Sequence, residues 1–342
     1  GSLILKNIMY SYQPSAVQLI SFSEQEIMDK AVKEDHPFRQ LNKLIDLDKI
    51  ARNYRKLYSK TGTPGIPIEK AIRMLIIQFY ENYSDRQMEQ ALVENLAVKW
   101  FCGFELGVST PDHSFFGKFR ERLDTDNIKE IFDLINEKLE KKGLIGNIFY
   151  FADASGIITK TALWEERDKA IEDGNSKLNN DNVKNYAKDK DARWGAKGKD
   201  HFWFGHKRHL LADMRQGIIV KTAVTPANVP DARAFTDNDL CPDQGIVIDD
   251  KGYDTNDVQE EIRKKGCYSG TIQKNNRKTK NRDKDKFLSK LRMPFEGIFS
   301  KMPKRARYRG TNKVYFQVIA ESIVHNLKRL IVVGELTSPI PI

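Results

Sequence analysis

The chain has 342 residues, of which 40% are hydrophobic and 30% charged, and its net charge is +10. This length accommodates two domains with cores of their own, and the composition is typical of a globular protein rather than of a disordered or fibrous one. No apolar run approaches the ~18 residues that a membrane span needs, and Cys102, Cys241 and Cys267 are too far apart for a zinc motif or a dense disulfide framework.

The first part of the chain, up to residue 143, is predicted to be entirely helical. Two capping boxes, Ser23 with Glu26 and Ser84 with Gln87, each predict the start of a helix. Segment Ile68–Glu81 is apolar on nearly every side, which is typical of a helix buried in a bundle or in an interface, and both alternatives stay open. Helices are predicted at 24–32, 47–58, 68–81, 85–95, 113–123 and 128–142, with a break at 36–38.

From residue 147 the pattern changes to short apolar segments separated by turns. Hairpin-linked strands followed by alternating strands and helices predict a mixed α/β sheet with helices packed on its faces. The polar segment 164–200 does not fit and is predicted to be a surface insertion with weak helices. Strands are predicted at 147–153, 156–161, 201–212, 217–224, 245–250 and 268–273, and helices at 230–238, 254–265, 286–302 and 313–332.

Three apolar segments of this second part carry carboxylates. Asp153 ends one predicted strand, Asp249 and Asp250 end another, and Glu296 lies within an apolar helical segment. Carboxylates on three separate elements can converge to bind a divalent metal. For the Asp249–Asp250 pair alone, a solvated turn after a strand is an equally good interpretation.

Positive charge is concentrated in segment 274–313, which holds fifteen lysines and arginines against three acids. A concentrated basic stretch is expected of a protein that binds a phosphate backbone. For residues 274–285 a solvated or disordered loop is the alternative. In 292–309 the charges interleave with aromatic residues, which indicates a folded segment.

Ordered motifs recur along both halves of the chain. In the first half they are Gly-Ile-Pro at 65–67, Tyr-Ser-Asp-Arg-Gln-Met at 83–88, Asn-Leu-Ala-Val-Lys-Trp-Phe-Cys-Gly at 95–103 and Pro-Asp-His-Ser at 111–114. In the second half they are Gly-His-Lys-Arg-His at 205–209, Thr-Pro-Ala-Asn-Val-Pro-Asp at 225–231, Asp-Lys-Gly-Tyr at 250–253, Phe-Glu-Gly-Ile-Phe at 295–299, Tyr-Arg-Gly at 308–310 and Asn-Leu-Lys-Arg at 326–329. This set resembles bacterial insertion-sequence transposases of the DDE class over roughly residues 56–332.

The resemblance implies an RNase-H-like catalytic domain at 144–335, with the polar insertion at about 164–200. It also implies that the helical domain, 1–143, binds DNA ends, mediates dimerisation, or does both. The implied catalytic and metal-binding residues are Asp153, Asp250 and Glu296, with two Mg²⁺ ions per site that Mn²⁺ can replace. Asp249 should face the other side of its strand, because adjacent strand residues alternate.

Related transposases place an arginine four residues before the glutamate and a lysine about seven after it. Arg292 matches the first position. Position 303 is proline, so Lys301 and Lys304 remain alternatives for the second. The other predicted DNA contacts are Arg305, Arg307, Arg309, Lys251, Tyr253, Lys207 and Arg120.

The function that the resemblance implies is cleavage at transposon ends to free a 3′-OH, followed by strand transfer of that end into target DNA. The implied partners are terminal-repeat DNA, target DNA and a second copy of the chain, with no membrane. The implied location is the cytoplasm of a bacterium, at the nucleoid. Two alternatives are a metal-dependent nuclease without strand transfer and a transposase-derived DNA-binding protein. The spacing of the acids alone indicates at most a metal-dependent phosphoryl-transfer site.

Overall fold

The computed structural model describes residues 23–58, 65–159, 179, 183, 187–198, 201–278 and 280–337. Up to Lys141 the described chain forms helices only. These are α1 (Glu24–Ala31), α2 (Pro37–Leu44), α3 (Leu47–Ala51), a 3₁₀ helix (Arg52–Leu57), α4 (Ile68–Tyr80), α5 (Asp85–Glu94), α6 (Leu96–Phe101) and α7 (His113–Lys141).

Local sequence signals explain where several of these helices begin. The capping boxes predicted at Ser23 and Ser84 are both formed. The predicted break at 36–38 is instead the start of α2, because Pro37 suits the first turn of a helix and the His36 ring accepts a hydrogen bond from the N–H of Phe38. The two helices predicted at 113–123 and 128–142 are both formed. They meet end to end within α7 at Asp124, whose backbone is not helical (φ 55°, ψ 178°) and whose side chain accepts a hydrogen bond from the N–H of Asn127.

The second part of the chain forms a six-stranded mixed sheet. Its strands are β1 (Phe149–Ile158), β2 (Arg193–Lys197), β3 (His201–Asp213), β4 (Ile218–Pro226), β5 (Ile246–Ile248) and β6 (Tyr268–Ser269). They lie in the order β4-β3-β1-β5-β6, with β2 also paired to β3. The pairs β1–β3, β3–β4 and β2–β3 are antiparallel, whereas β5 runs parallel to β1 and β6 runs parallel to β5.

The other helices with described bounds follow β4. They are α8 (Asp231–Asp237), a 3₁₀ helix (Lys251–Tyr253), α9 (Asn256–Lys264), α10 (Arg282–Ser300) and α11 (Thr311–Thr337). The chain therefore has the predicted fold class, an RNase-H-like mixed sheet flanked by helices and preceded by a helical region. No helix among the described residues is both long and apolar enough to cross a membrane.

Two details of the sheet correct the sequence prediction. The strands predicted at 147–153 and 156–161 are one continuous strand, β1. Strand β2 lies inside the segment predicted to be a surface insertion, and its Trp194 is buried. Of the rest of that segment, most lies outside the described residues.

The sheet has a core on each face. Ile157, Leu210 and Ala212 belong to a large core shared with α4, α7 and α11. Tyr150, Leu211 and Val247 belong to a second core with α8 and α9. Since the larger core is continuous from the helical region into the sheet, the predicted boundary at residues 143/144 stays a prediction.

Helix α4 is buried within a single chain. Its apolar residues, predicted to lie either in a bundle or in an interface, belong to the large core. C-terminal helix α11 packs against α4 as well as against α2, α7 and β4. Burial inside the chain therefore accounts for the all-round apolar character of α4.

Candidate active site

Asp153 and Asp250 lie at the same level at one edge of the sheet. The parallel pairing of β1 with β5 ends at Phe151 opposite Ile248. Asp153 lies two residues beyond Phe151, and Asp250 lies two residues beyond Ile248. Because parallel strands end at a common edge, the pairing brings these two carboxylates next to each other.

The edge of β1 that carries Asp153 is open beyond its pairing with β5. Among the described residues, the next partner on this side is the segment around Arg305, which forms a bridge with Ile158. There the N–H of Ile158 donates to the carbonyl of Lys304 at 2.8 Å, and the N–H of Ala306 donates to the carbonyl of Ile158 at 2.9 Å. The acids therefore face a gap that has basic residues on its far side.

The Asp-Lys-Gly-Tyr motif holds Asp250 in a tight turn. An Asp250 carboxylate oxygen accepts a hydrogen bond from the N–H of Gly252 at 2.6 Å and so caps the 3₁₀ helix that follows. Tyr253 anchors this turn, because its ring is buried and lies 5.9 Å from the ring of Phe235. The turn therefore fixes the backbone of Asp250 directly behind the open edge.

Asp249 is placed quite differently from its neighbour. It is fully buried, and neither carboxylate oxygen has a hydrogen-bond partner among the described residues. Burial is the main reason that its pKa is raised to about 8. Only Asp250 of this pair is accessible from the open edge.

Glu296 reaches the site from α10, together with Arg292 one turn earlier. The Arg292 guanidinium is buried, and its Nη2 lies 3.4 Å from an Asp153 oxygen and 4.0 Å from a Glu296 oxygen. Its central carbon lies 5.3 Å from the centre of the Phe151 ring. Glu296 itself is 58% exposed. Arg292 thus connects the helix that carries one acid to the strand that carries another.

The electrostatic setting of Asp153 favours a nearby cation. Burial is the largest cause that raises the pKa of Asp153 to about 6, and the charges of Asp250 and Asp231 raise it further. The N–H of Ala154 and the charge of Arg292 act in the opposite direction. A cation bound between the acids would offset both the burial and the repulsion.

The three acids fit a magnesium or manganese site by donor type, since hard carboxylate oxygens are the ligands these ions prefer. Among the described residues, however, no three His, Cys, Asp or Glu side chains are close enough to hold one ion together. The Arg292 guanidinium lies between Asp153 and Glu296 where such an ion would be expected. Glu296 therefore has to approach the two aspartates before all three can share a metal.

Of the predicted DNA contacts, Arg292 is buried beside Asp153 and Glu296. The others fall into two groups in the structure. Members of the first group are exposed and available to a partner. They are Lys251, Lys301, Lys304, Arg305 and Arg309.

The second group has internal roles. Tyr253 is buried, and the Lys207 ammonium donates to Asp231 and to the carbonyl of Val229, both at 2.9 Å. None of the residues in this group enters the DNA contacts proposed below.

Arg120 and Arg307 also belong to this second group, since both join the helical region to the rest of the chain. The guanidinium of Arg120 donates to both oxygens of Asp85 at 2.8 and 2.7 Å, and it lies over the Tyr308 ring. That of Arg307 donates to the carbonyl of Tyr83 at 2.6 Å.

Asp231 is a residue near the site that sequence reasoning did not identify. It begins α8 and forms the ion pair with Lys207. Its charge contributes to the raised pKa of Asp153, so it lies within electrostatic reach of the site. The available signal was its position as the last residue of the motif at 225–231.

Comparison with known proteins matches both parts of the chain. Residues 26–122 match the family described as "Transposase domain (DUF772)". Residues 153–327, just over half of the chain, match the family described as "Transposase DDE domain". The transposase for insertion sequence element IS1106 of Neisseria meningitidis serogroup B is 28% identical over 222 residues, which are 63% of this chain and 75% of that protein.

One solved structure also matches, the synaptic complex of the piggyBac transposase with hairpin DNA. The match covers 90% of this chain and 76% of the other, with a TM-score of 0.34 and 8% sequence identity.

Proposed function

The chain belongs to the family of bacterial insertion-sequence transposases with a DDE domain, and we propose that it cuts its element's ends and joins them to target DNA. The chain is a DNA transposase and hence a nucleotidyl-transfer enzyme. The observation that supports the finer proposal is the meeting of Asp153 and Asp250 at one open sheet edge, with Glu296 tied to that edge through Arg292.

In this proposal Asp153, Asp250 and Glu296 are the ligands of two divalent cations, Mg²⁺ or in its place Mn²⁺. When bound, such ions align the attacking oxygen and stabilise the leaving oxygen of a phosphodiester. The half-buried Asp153 adjoins Asp250 through the pairing of β1 with β5 and is connected to Glu296 through Arg292. Asp250 is held on a fixed turn, whereas Glu296 lies at an exposed position of its helix.

The first proposed reaction is hydrolysis at the element's end. A water oxygen attacks the phosphorus, the bond from phosphorus to the 3′ oxygen breaks, and that oxygen takes up a proton. The products are a 3′-OH on the element and a 5′-phosphate on the flanking DNA. Exposed Lys304 and Arg305, across the gap from the acids, are positioned to pair with the phosphates beside the scissile bond.

The second proposed reaction uses the freed 3′-OH as nucleophile. It attacks a phosphodiester of the target, a new bond joins element to target, and the displaced target 3′ oxygen takes the proton. The number of phosphodiester bonds is unchanged, so this step needs no external energy source. Holding two ends for such a reaction supports a homodimer as the working unit. Since the substrate is DNA, we further propose that the chain acts at the bacterial nucleoid.

The test is a reaction in vitro between a labelled duplex that carries the element's terminal repeat and a target plasmid, with Mg²⁺ or with EDTA. We expect a joined product that depends on Mg²⁺, is formed by the wild type and is lost in Asp250→Asn. Asp249→Asn is the matched control, because it changes the buried neighbour and leaves the proposed ligands intact. Loss of product in Asp249→Asn but not in Asp250→Asn would overturn the ligand assignment.

Two other outcomes would replace the proposal. Metal-dependent cleavage without any joined product would indicate a nuclease. Binding of the terminal repeat with neither product would indicate a DNA-binding protein derived from a transposase.

A further inference from the structure

Helix α10 carries a stripe of exposed cations that begins one turn away from the catalytic region. Arg282, Lys286 and Lys290 are spaced four residues apart, so they lie along one side of the helix. All three side chains are exposed. Within the described part of the chain none of the three forms an ion pair or a side-chain hydrogen bond. We call these residues the α10 stripe.

Neighbouring cations in the same basic segment are used differently. Arg277 donates to both oxygens of Asp254, at 3.0 and 2.9 Å, and Lys280 lies 3.3 Å from an oxygen of Asp285 and donates to the carbonyl of Gln273. These contacts tie the segment before α10 to Asp254 and to the first turn of α10. The fold thus accounts for those two cations, whereas no packing or pairing in the described structure accounts for the α10 stripe.

The α10 stripe also forms one wall of a groove. The groove has a volume of about 600 Å³, and its opposite wall includes Ile272 and Asn275. Ser289 lies on the same wall as the stripe. Asp285, the groove's one acid among the lining residues, is already paired with Lys280. The lining is therefore suited to an extended chain of anions.

The α10 stripe lies on the same helix as Glu296, on its N-terminal side. Fourteen residues separate Arg282 from Glu296, which at 1.5 Å per residue is about 21 Å. At 3.4 Å per base pair this distance corresponds to about six base pairs of duplex DNA. Exposed Met293 continues the same side of the helix between Lys290 and Glu296. At about 100° per residue, the three cations and Glu296 lie within about one third of the circumference of the helix.

We propose that the α10 stripe binds the phosphate backbone of the element-end duplex over about six base pairs, counted from the scissile phosphate. This inference rests on the proposed function, because it takes Glu296 as part of the cleavage site. The element end is the partner rather than the target, because the stripe shares a helix with Glu296 and so meets the strand that the acids hold during the first cleavage. The stripe contacts phosphates and does not read bases.

The experiment measures binding of the terminal-repeat duplex to the full chain over a range of salt concentrations, without divalent metal. The variant removes the three charges, with Arg282→Gln, Lys286→Gln and Lys290→Gln combined. A matched variant changes three lysines at the end of α7, with Lys138→Gln, Lys141→Gln and Lys142→Gln combined. Thermal melts of both variants check that the fold is kept.

We expect the α10 variant to lower the slope of log K against log[salt] by about 2.7, since each phosphate contact contributes about 0.9. Its affinity at low salt should fall by about tenfold or more, whereas the α7 variant should match the wild type. Lys290, the stripe residue nearest Glu296, lies six positions or about 9 Å from it, which is about three base pairs. Duplexes cut back to fewer than about three base pairs on one side of the scissile bond should therefore bind the wild type and the α10 variant equally. An unchanged slope in the α10 variant would overturn the proposal.

A target-capture arm separates the two sources of DNA. The wild type and the α10 variant are loaded with precut end duplex, and binding of a target plasmid is measured. Normal binding of the end with loss of target capture alone would also overturn the assignment to the element end. Cleavage by the wild type is measured separately. If the α10 variant keeps the wild-type salt slope and the wild type cleaves normally, the proposal for the α10 stripe is rejected and the proposed function is not. If the α10 variant lowers the salt slope but the wild type cleaves no DNA, the proposed function is rejected and phosphate binding by the α10 stripe is not.

Discussion

Arg292 and Asp153 form an ion pair at the centre of the site, with Nη2 of the arginine 3.4 Å from an oxygen of the aspartate. The arginine is buried and its Nη2 also lies 4.0 Å from Glu296, so one guanidinium faces two of the three proposed metal ligands. It neutralises Asp153 and ties α10 to β1 in the absence of any other cation. A divalent ion that uses both acids must therefore compete with this guanidinium.

The first prediction follows from that competition. Arg292→Gln should raise the affinity of the DNA-free protein for Mn²⁺ by about tenfold, because it removes a positive charge from beside the ion. In EDTA the same change should lower the free energy of unfolding by about 1–3 kcal/mol, since Asp153 loses its charged partner. Calorimetric titration with Mn²⁺ and urea unfolding measure the two effects.

Arg305→Gln is the matched control for Arg292. It removes an exposed cation near the site that makes no contact with the acids. Its Mn²⁺ affinity should stay within about twofold of the wild type, because charges exposed to solvent are strongly screened. Equal Mn²⁺ affinity in Arg292→Gln and the wild type would contradict the role given to Arg292.

The second prediction concerns Arg120, whose sequence context predicted a DNA contact. In the structure it forms two hydrogen bonds with Asp85 and lies 4.9 Å from the centre of the Tyr308 ring. Arg120→Gln should therefore destabilise the protein by about 2–3 kcal/mol, since it breaks a largely buried charged network. The salt dependence of DNA binding should not change. Lys118→Gln, an exposed neighbour on the same helix, should leave stability within about 0.5 kcal/mol.

How much the sequence predicts depends on how local the signal is. Helix starts at Ser23 and Ser84 were predictable because a capping box needs only residues three positions apart. Strand β2 was not predictable from the sequence. Its five residues, Arg193–Lys197, show no alternating pattern, and pairing with β3 holds them in the sheet. The single strand β1 was predicted as two, because Ala154 and Ser155, just before Gly156, interrupt its apolar pattern.

The reason for Gly156 lies on another strand. A Cβ atom at that position would be 2.9 Å from the ring of Trp203, so glycine makes room for a side chain that sequence reasoning could not place. The site shows the same limit. Strand ends pointed to Asp153 and Asp250, but the position of Arg292 between two acids depends on how α10 packs on β1. Non-local packing is thus the part of this site that the sequence leaves open.

The third prediction concerns pH and His209. This histidine is buried on β3 with its ring within hydrogen-bond distance of Thr225, and burial lowers its pKa from 6.5 to about 3. The unfolded chain binds a proton there below pH 6.5 and the folded chain does not, so this contribution to stability is complete above pH 6.5 and is lost as the pH falls towards 3.

The measurement compares urea unfolding of the wild type and His209→Gln at pH 7.5 and 5.5. Between pH 7.5 and 5.5 the free energy of unfolding should fall by about 1.4 kcal/mol more in the wild type than in the variant. The reason is that pH 5.5 lies one unit below the pKa of this histidine in the unfolded chain. Carboxylates contribute to both proteins alike and cancel in the comparison. Parallel losses in the two proteins would show that His209 does not stay neutral in the fold.

The fourth prediction tests whether α4 is core or interface. Ile76 is 5% exposed within one chain and belongs to the large core. Ile76→Ala should lower the free energy of unfolding by about 2–4 kcal/mol, the usual cost of emptying such a position. The loss should be the same at low and high protein concentration. A loss that grows on dilution would instead place α4 in a subunit interface.

The last prediction contrasts two glycines. At Gly205, on β3, a Cβ atom would lie 2.0 Å from the carbonyl oxygen of Ile157, which is backbone of the paired strand β1 and cannot move aside. Gly205→Ala should therefore force β1 and β3 apart and cost more than about 3 kcal/mol, as severe overpacking does. Because β1 carries Asp153, Mn²⁺ binding should weaken as well.

At Gly297, exposed on α10, a Cβ atom would meet nothing within 4 Å. Gly297→Ala should raise stability by about 0.5–1 kcal/mol, since alanine favours the helix. Urea unfolding of both variants decides the matter, and equal effects at the two positions would contradict the close approach of β3 to β1.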